Sequence, residues 1–232
     1  MSLKLIHHPT VDSQLTTDPL YVAVEGPIGV GKTTLVHRLR KRMNAHLILE
    51  VVEENPFLAK FYADPKRYAF QTQLFFLMSR FRQQKELHKG NQVDFLADYH
   101  LLKDRIFAEL TLESEELKLY ESVYLSLSTC IRQPDVVIYL HADEQALINR
   151  IQKRARPFEK NFDRNYLARL SERYQYHFND YRDTPLLKLN TSKIDYVSDE
   201  TPVDEIYQEV KRLVSNRRAG HEINECISSN FA

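Results

Sequence analysis

Cysteine, glycine, net charge and long apolar runs are all scarce in this chain of 232 residues. It has two cysteines, Cys130 and Cys226, far apart and in no metal-ligand spacing. They exclude a disulfide framework or a zinc site, and the expectation is a reducing, cytoplasmic setting. The 9 histidines add no metal spacing either. Lys+Arg 32 match Asp+Glu 32, for a formal net charge of +0, which argues against a general binder of nucleic acid or membrane surfaces. No apolar run approaches the roughly 20 residues a membrane helix needs, and the polar stretch Met1–Pro19 does not read as a signal peptide. Of only 5 glycines, Gly26, Gly29 and Gly31 sit within six residues, so this stretch needs a backbone only glycine adopts freely.

What is present alternates short apolar runs with helical patterns. Strands are expected at Leu20–Glu25, Ala45–Val52, Val93–Ala97, Asp135–Leu140 and Leu186–Leu189. Helices are expected at Lys32–Met43, Arg67–Leu87, Ile106–Leu110, Glu115–Leu127, Asp143–Arg154, Arg164–Tyr181 and Val203–Ser215, with a break near Leu112–Ser114. Such alternation builds an α/β fold: a parallel sheet with helices on both faces and ligands at the carboxyl ends of the strands. Residues 1–215 read as one domain and residues 216–232 as a polar tail expected to be frayed.

Gly26-Pro27-Ile28-Gly29-Val30-Gly31-Lys32-Thr33 matches G-x-x-x-x-G-K-[ST] in full, after a strand and at the start of a helix. This is the context a phosphate-binding loop requires. Backbone N–H groups from Gly29, Val30, Gly31, Lys32, Thr33 and Thr34 would face nucleotide phosphates at the positive end of the helix. Lys32 would span the β- and γ-phosphates, and the Thr33 hydroxyl would hold Mg²⁺. The bland alternative is a glycine turn without a ligand. The motif does not choose a reaction. The D-x-x-G and N-K-x-D motifs of a GTPase are absent, whereas Asp98 at a strand end leaves a regulatory ATPase acting on a protein partner open.

The acceptor side is carried by a resemblance. EGPIGVGKTT at 25–34, EVVEENPFLAKFY at 50–62, and FQTQ with SRFR between 70 and 82 recur in order. ADYHLLKDRIFA at 97–108 and KRARPFEK at 153–160 complete the set. Together they resemble the deoxynucleoside kinase family, and within it the bacterial deoxyguanosine and deoxyadenosine kinases, from Tyr21 to the last helix. The resemblance implies a P-loop kinase-like sheet with an arginine-rich lid at about 153–163, and transfer of the γ-phosphate of ATP to the 5′-hydroxyl of a purine deoxynucleoside in nucleotide salvage.

Residue by residue, it implies Glu50 as the base that receives the 5′-hydroxyl proton, with Glu53 next in line and Glu54 close by. It makes Asp98 a magnesium ligand, direct or through water, and Tyr62 a partner of the sugar 3′-hydroxyl. Gln73, Arg80 and Asp104 would read the base, with Phe70, Phe75 or Phe76 stacking on it. Arg150, Arg154 and Arg156 would cover the ATP phosphates, and Glu159 would reach the sugar. Each has a plainer alternative: helix cap, core aromatic, or cations complementing a helix end. One departure stands out. Where most relatives read Asp/Glu-Arg-Ser, this chain reads Asp98-Tyr99-His100, so Arg105 or a lid arginine would have to supply the missing phosphate contact. The resemblance also implies a homodimer. A nucleoside monophosphate kinase is the rival within the class. Carboxylates at Glu50, Glu53 and Glu54 would repel a second phosphate, which favours a nucleoside acceptor.

Overall fold

The apolar run after Pro19 forms strand β1, Tyr21–Glu25, buried at every residue in the middle of the sheet. The chain continues through α1 (Lys32–Met43), β2 (His46–Ile48), α2 (Leu58–Ala63), α3 (Pro65–Glu86), β3 (Phe95–Ala97), α4 (Leu102–Thr111) and α5 (Ser114–Ser128). It then passes through β4 (Val136–His141), α6 (Glu144–Arg154), α7 (Arg164–Asn179), β5 (Leu186–Asn190), α8 (Thr201–Arg218) and β6 (Ile227–Ser228). The computed structural model describes residues 19–86, 93–155, 163–219 and 227–228. No helix among them is long and apolar enough to cross a membrane.

The strands pair in the order β2-β3-β1-β4-β5-β6, and every pairing is parallel. Five longer strands make the sheet and the two-residue β6 trims its edge. Because strand side chains alternate, β1 feeds two cores. Val22 and Val24 pack with α1, α6 and α8 through Leu35, Leu39, Leu147, Val203 and Val210. Tyr21 and Ala23 face the other way, with Phe95, Ala97 and Tyr99. Val137 and Tyr139 of β4 meet α4 and α7 through Ile106, Leu170, Tyr174 and Phe178. Helices therefore cover both faces, as expected. Helix α1 buries Leu35, Val36, Leu39 and Met43, each worth about 1.5–3 kcal/mol.

Several boundaries differ from the sequence expectation for visible reasons. The run at 45–52 keeps strand pairing only over His46–Ile48. Beyond it, the Glu50 N–H donates to the Asp98 carboxylate at 2.8 Å, so a side chain replaces the ladder partner. Helix α4 begins at Leu102, earlier than the expected Ile106, and α8 runs past Ser215 to Arg218. The helix expected to start near Asn55 is the short α2 from Leu58, and Ile227–Ser228 of the expected polar tail pairs with β5.

Candidate active site

The phosphate loop lies between the end of β1 and the start of α1, and its glycines are there for space and backbone angle. Gly31 has φ 107°, and a Cβ on it would fall 2.1 Å from the Tyr196 hydroxyl. Gly26 has φ 150°, and a Cβ there would fall 2.2 Å from the Leu140 carbonyl. The loop is tied to the end of β5 through one acceptor: the Val30 carbonyl receives Tyr196 Oη at 3.1 Å, Thr191 Oγ1 at 3.1 Å and Arg150 Nη1 at 3.2 Å. Lys32 folds back, donating to the Gly26 carbonyl at 2.5 Å and the Pro27 carbonyl at 3.1 Å. Burial, with the nearby Lys103 charge, pulls its pKa down to about 8.

Asp98, at the end of β3, joins this loop to the acceptor strand. One of its oxygens accepts from Thr33 Oγ1 at 2.7 Å and the other from the Glu50 N–H. The threonine hydroxyl and the carboxylate form a hard-oxygen pair beside the phosphate loop, the donor chemistry that suits Mg²⁺. Among the described residues no three His, Cys, Asp or Glu gather into a metal cluster. An ion there would depend on nucleotide phosphates for its remaining ligands.

Glu50 sits at the centre of an ion network. Arg80 of α3 donates to its Oε1, and Lys103 of α4 donates to its Oε2 at 2.6 Å. Arg80 also pairs with Asp104, which is 0% exposed. Burial by itself would raise the Glu50 pKa, but Lys103 and Arg80 outweigh it and hold the carboxyl well below its usual range. Burial pushes the Asp104 carboxyl up to about 7 against the pull of Arg80. Arg80 stacks over Phe76 with its guanidinium 5.0 Å from the ring centroid. Thr72 Oγ1, Arg80 Nε and Asp104 Oδ2 are buried without a hydrogen-bond partner among the described residues. Buried polar atoms seldom stay unpaired.

A cavity of about 930 Å³ runs between these two regions. Gly29, Gly31, Lys32, Thr33 and Thr34 line one end, and Glu50, Tyr62, Gln73, Phe76, Arg80 and Lys103 the other. Asp98 lies between them. Glu53 and Glu54 are exposed on a turn outside that lining. Arg150 lines the donor end, but its guanidinium is taken up by the Val30 carbonyl and by Thr191, at 2.9 Å to Oγ1 and 2.7 Å to the carbonyl. Lys153 and Arg154 line the cavity beside it. Arg156, Glu159 and most of the expected lid lie outside the described residues.

A nucleotide-type loop and a paired carboxylate at opposite ends of one cavity suit a phosphotransferase. The deoxynucleoside kinase model matches residues 22–215. The chain belongs to the deoxynucleoside kinase family. Deoxyguanosine kinase of Bacillus subtilis (strain 168) is 36% identical over 203 residues, 84% of this chain and 97% of the relative. The deoxyadenosine/deoxycytidine kinase of the same organism is 32% identical over 205 residues, 85% and 94% of the two chains. Among solved structures, deoxyadenosine kinase from M. mycoides with the products dCMP and dCDP superposes with a TM-score of 0.74 at 25% identity. That match covers 83% of this chain and 100% of the other. The α/β fold is thus that of deoxynucleoside kinases, and the family implies a nucleotide phosphate donor.

Set beside a family kinase, some residues turn out differently from the reading of the sequence. Arg105 does not replace the arginine missing at position 99. It pairs with Glu121 at 3.0 Å and Glu109 at 3.4 Å, away from the cavity lining. His100 is buried, its pKa pulled down to about 4 by burial, and its Nδ1 accepts from the Leu102 N–H. Two residues escaped the sequence reading. Glu25, fully buried, accepts from the Gly26 N–H, the Tyr174 hydroxyl and the His100 N–H, so it fastens the loop to α7 and to the entry of α4. Lys103 is the other, and the only hint in the sequence was a lysine among apolar neighbours, beside Asp104.

Proposed function

We propose that this kinase transfers the γ-phosphate of ATP to the 5′-hydroxyl of a purine deoxynucleoside in nucleotide salvage, with Mg²⁺. The observation that carries this reading is the cavity itself. Its donor end presents Lys32 and backbone N–H groups, and its acceptor end presents one carboxylate, paired with Arg80 and Lys103, beside the rings of Tyr62 and Phe76. The nucleoside's sugar would lie near Tyr62, its base between Phe76 and the Gln73–Arg80 pair, with Asp104 behind Arg80. A purine's polar edge would give partners to buried groups that otherwise lack them, which is how such sites reject the wrong base. The name of the deoxyguanosine kinase relative supports a purine, whereas the deoxyadenosine/deoxycytidine kinase is named for a pyrimidine as well.

In the transfer, the 5′-oxygen attacks the γ-phosphorus and the bond from that phosphorus to the β–γ bridging oxygen breaks. ADP leaves with the bonding electrons. The hydroxyl proton passes to Glu50, a late acceptor suited to a loose transition state. Lys32 leaves the Gly26 and Pro27 carbonyls to meet the phosphates, Arg154 with Arg156 adds charge and excludes water, and Arg150 braces the loop through the Val30 carbonyl. Thr33 and Asp98 would hold Mg²⁺, which would supply charge neutralisation to the donor phosphates. Glu159 would reach the sugar. The cytoplasm is the natural compartment, since its ATP pool supplies the donor, and a homodimer is the expected assembly.

The test is turnover with Mg-ATP against deoxyguanosine, deoxyadenosine, deoxycytidine, thymidine, dAMP and dGMP. The expected result is phosphorylation of a purine deoxynucleoside at least tenfold faster than of either pyrimidine one. Faster turnover of the pyrimidines overturns the purine assignment. Turnover of the monophosphates alone overturns the acceptor reading.

A further inference from the structure

Tyr99, the residue after Asp98, cannot reach a phosphate. It is 0% exposed, packs with Tyr21 and Phe95, and donates its hydroxyl to Gln83 at 2.9 Å. One helical turn later Lys103 faces the cavity instead, its Nζ 2.6 Å from Glu50 Oε2 and 5.5 Å from the Phe107 ring centroid. A lysine only 7% exposed is unusual, because losing water is costly unless the charge has partners. Its ammonium has three donors, and among the described hydrogen bonds Glu50 alone takes one.

Both oxygens of Glu50 are engaged, Oε1 by Arg80 and Oε2 by Lys103. Each oxygen keeps a second lone pair, but a carboxylate paired with two cations is a weak base, and releasing one of them makes it a better proton acceptor. Arg80 is held as a planar fork between Glu50 and Asp104, a geometry that resists rotation. Lys103 is a point charge on a flexible stem with a single tether. It is the group free to move, and the phosphate loop is across the cavity.

We propose that Lys103 is the acceptor-side cation of the transfer: in the loaded site its ammonium exchanges Glu50 Oε2 for an oxygen of the transferring phosphoryl group, and the vacated oxygen receives the 5′-hydroxyl proton. This rests on the reading of Glu50 as base. One motion then supplies charge where it develops and frees the carboxylate when the proton has to go. The groups facing Glu50 agree with it. Lys32 of α1, Arg80 of α3 and Lys103 of α4 bring positive charge. Asp98 accepts the Glu50 N–H, and Asp104 lies beyond Arg80.

Lys103→Met and Lys103→Arg test it, with ADP and deoxynucleoside affinities from calorimetry as a check of folding. Lys103→Met is expected to lose roughly 10²-fold or more in kcat, the scale of a lost transition-state contact, with both affinities within threefold of the parent. It should lose a comparable factor in affinity for the ADP–aluminium fluoride–deoxynucleoside complex, a binding readout that involves no turnover. Lys103→Arg should recover at least a tenth of parental kcat. The inference is overturned if Lys103→Met turns over within threefold of the parent. It is equally overturned if that variant loses nucleoside affinity but still forms the fluoride complex with the parent's remaining affinity, the behaviour of a static counter-ion. If Glu50→Gln keeps its turnover, the base assignment falls and takes the exchange with it. If Glu50→Gln is inactive while Lys103→Met is not, the exchange alone falls.

Discussion

The two ends of the cavity are built by different means. The donor end is a contiguous stretch, Gly26 to Thr34, in which backbone N–H groups and three glycines of positive φ set the geometry. The acceptor end takes Glu50 from the end of β2, Arg80 from α3 and Lys103 with Asp104 from α4, and holds them by charge. Backbone at a helix start tolerates side-chain change as long as the glycines remain. A buried ion network is less tolerant, since removing Arg80, its shared member, strands Asp104. On the proposed function, specificity would reside in the more fragile half and phosphate binding in the more robust one.

The largest expected effect sharpens that contrast. Arg80→Met leaves Asp104 buried and unpaired, and should destabilise the fold by about 3–5 kcal/mol in chemical denaturation. The double change Arg80→Met with Asp104→Leu should recover much of that loss without recovering turnover. A single variant as stable as the parent would show that the acceptor network adds nothing to the fold.

The next effect belongs to the donor end. Lys32 is charged below its lowered pKa of about 8 and neutral above it. Raising the pH through that value removes the cation that meets the phosphates, so ADP should bind about tenfold more weakly at pH 9.5 than at pH 7.5, a change near 1.4 kcal/mol. Deoxynucleoside affinity should change less than threefold over the same interval. Calorimetry at both values reads the two ends separately, and a flat ADP profile would break the distinction.

The smallest effect is at the rim of the acceptor end. Tyr62, 39% exposed, lines the cavity. Tyr62→Phe removes one hydroxyl and should raise KM for the deoxynucleoside several-fold, about 1 kcal/mol, with kcat nearly unchanged. An effect on ATP affinity instead would place that hydroxyl on the wrong substrate.

Much of this was legible in the chain because it is local. The apolar run before Gly26, the loop and the α1 pattern are adjacent in sequence, and α1 begins and ends where its periodicity says. The break between α4 and α5 was legible too. The end of β2 was not. Leu49 to Val52 continue an apolar run, yet Asp98 captures the Glu50 N–H and turns the chain out of the sheet. Six-residue α2 is too short for its periodicity to register, and β6 depends wholly on β5 for its pairing.

The sequence alone determined the class of fold, the phosphate loop and Asp98 just past its strand, since these follow from patterns within a few residues, whereas Glu50 was named by the family resemblance. The resemblance also named Gln73 and Arg80 as readers of the base. Only the tertiary structure decided that Arg105 turns away to Glu121 while Lys103, two residues earlier, meets Glu50. It likewise decided that Arg150 is spent on the loop and that Glu25 fastens three elements together. Charge pairing in a dry interior depends on distances of a few ångströms between elements far apart in the chain, and packing sets those distances.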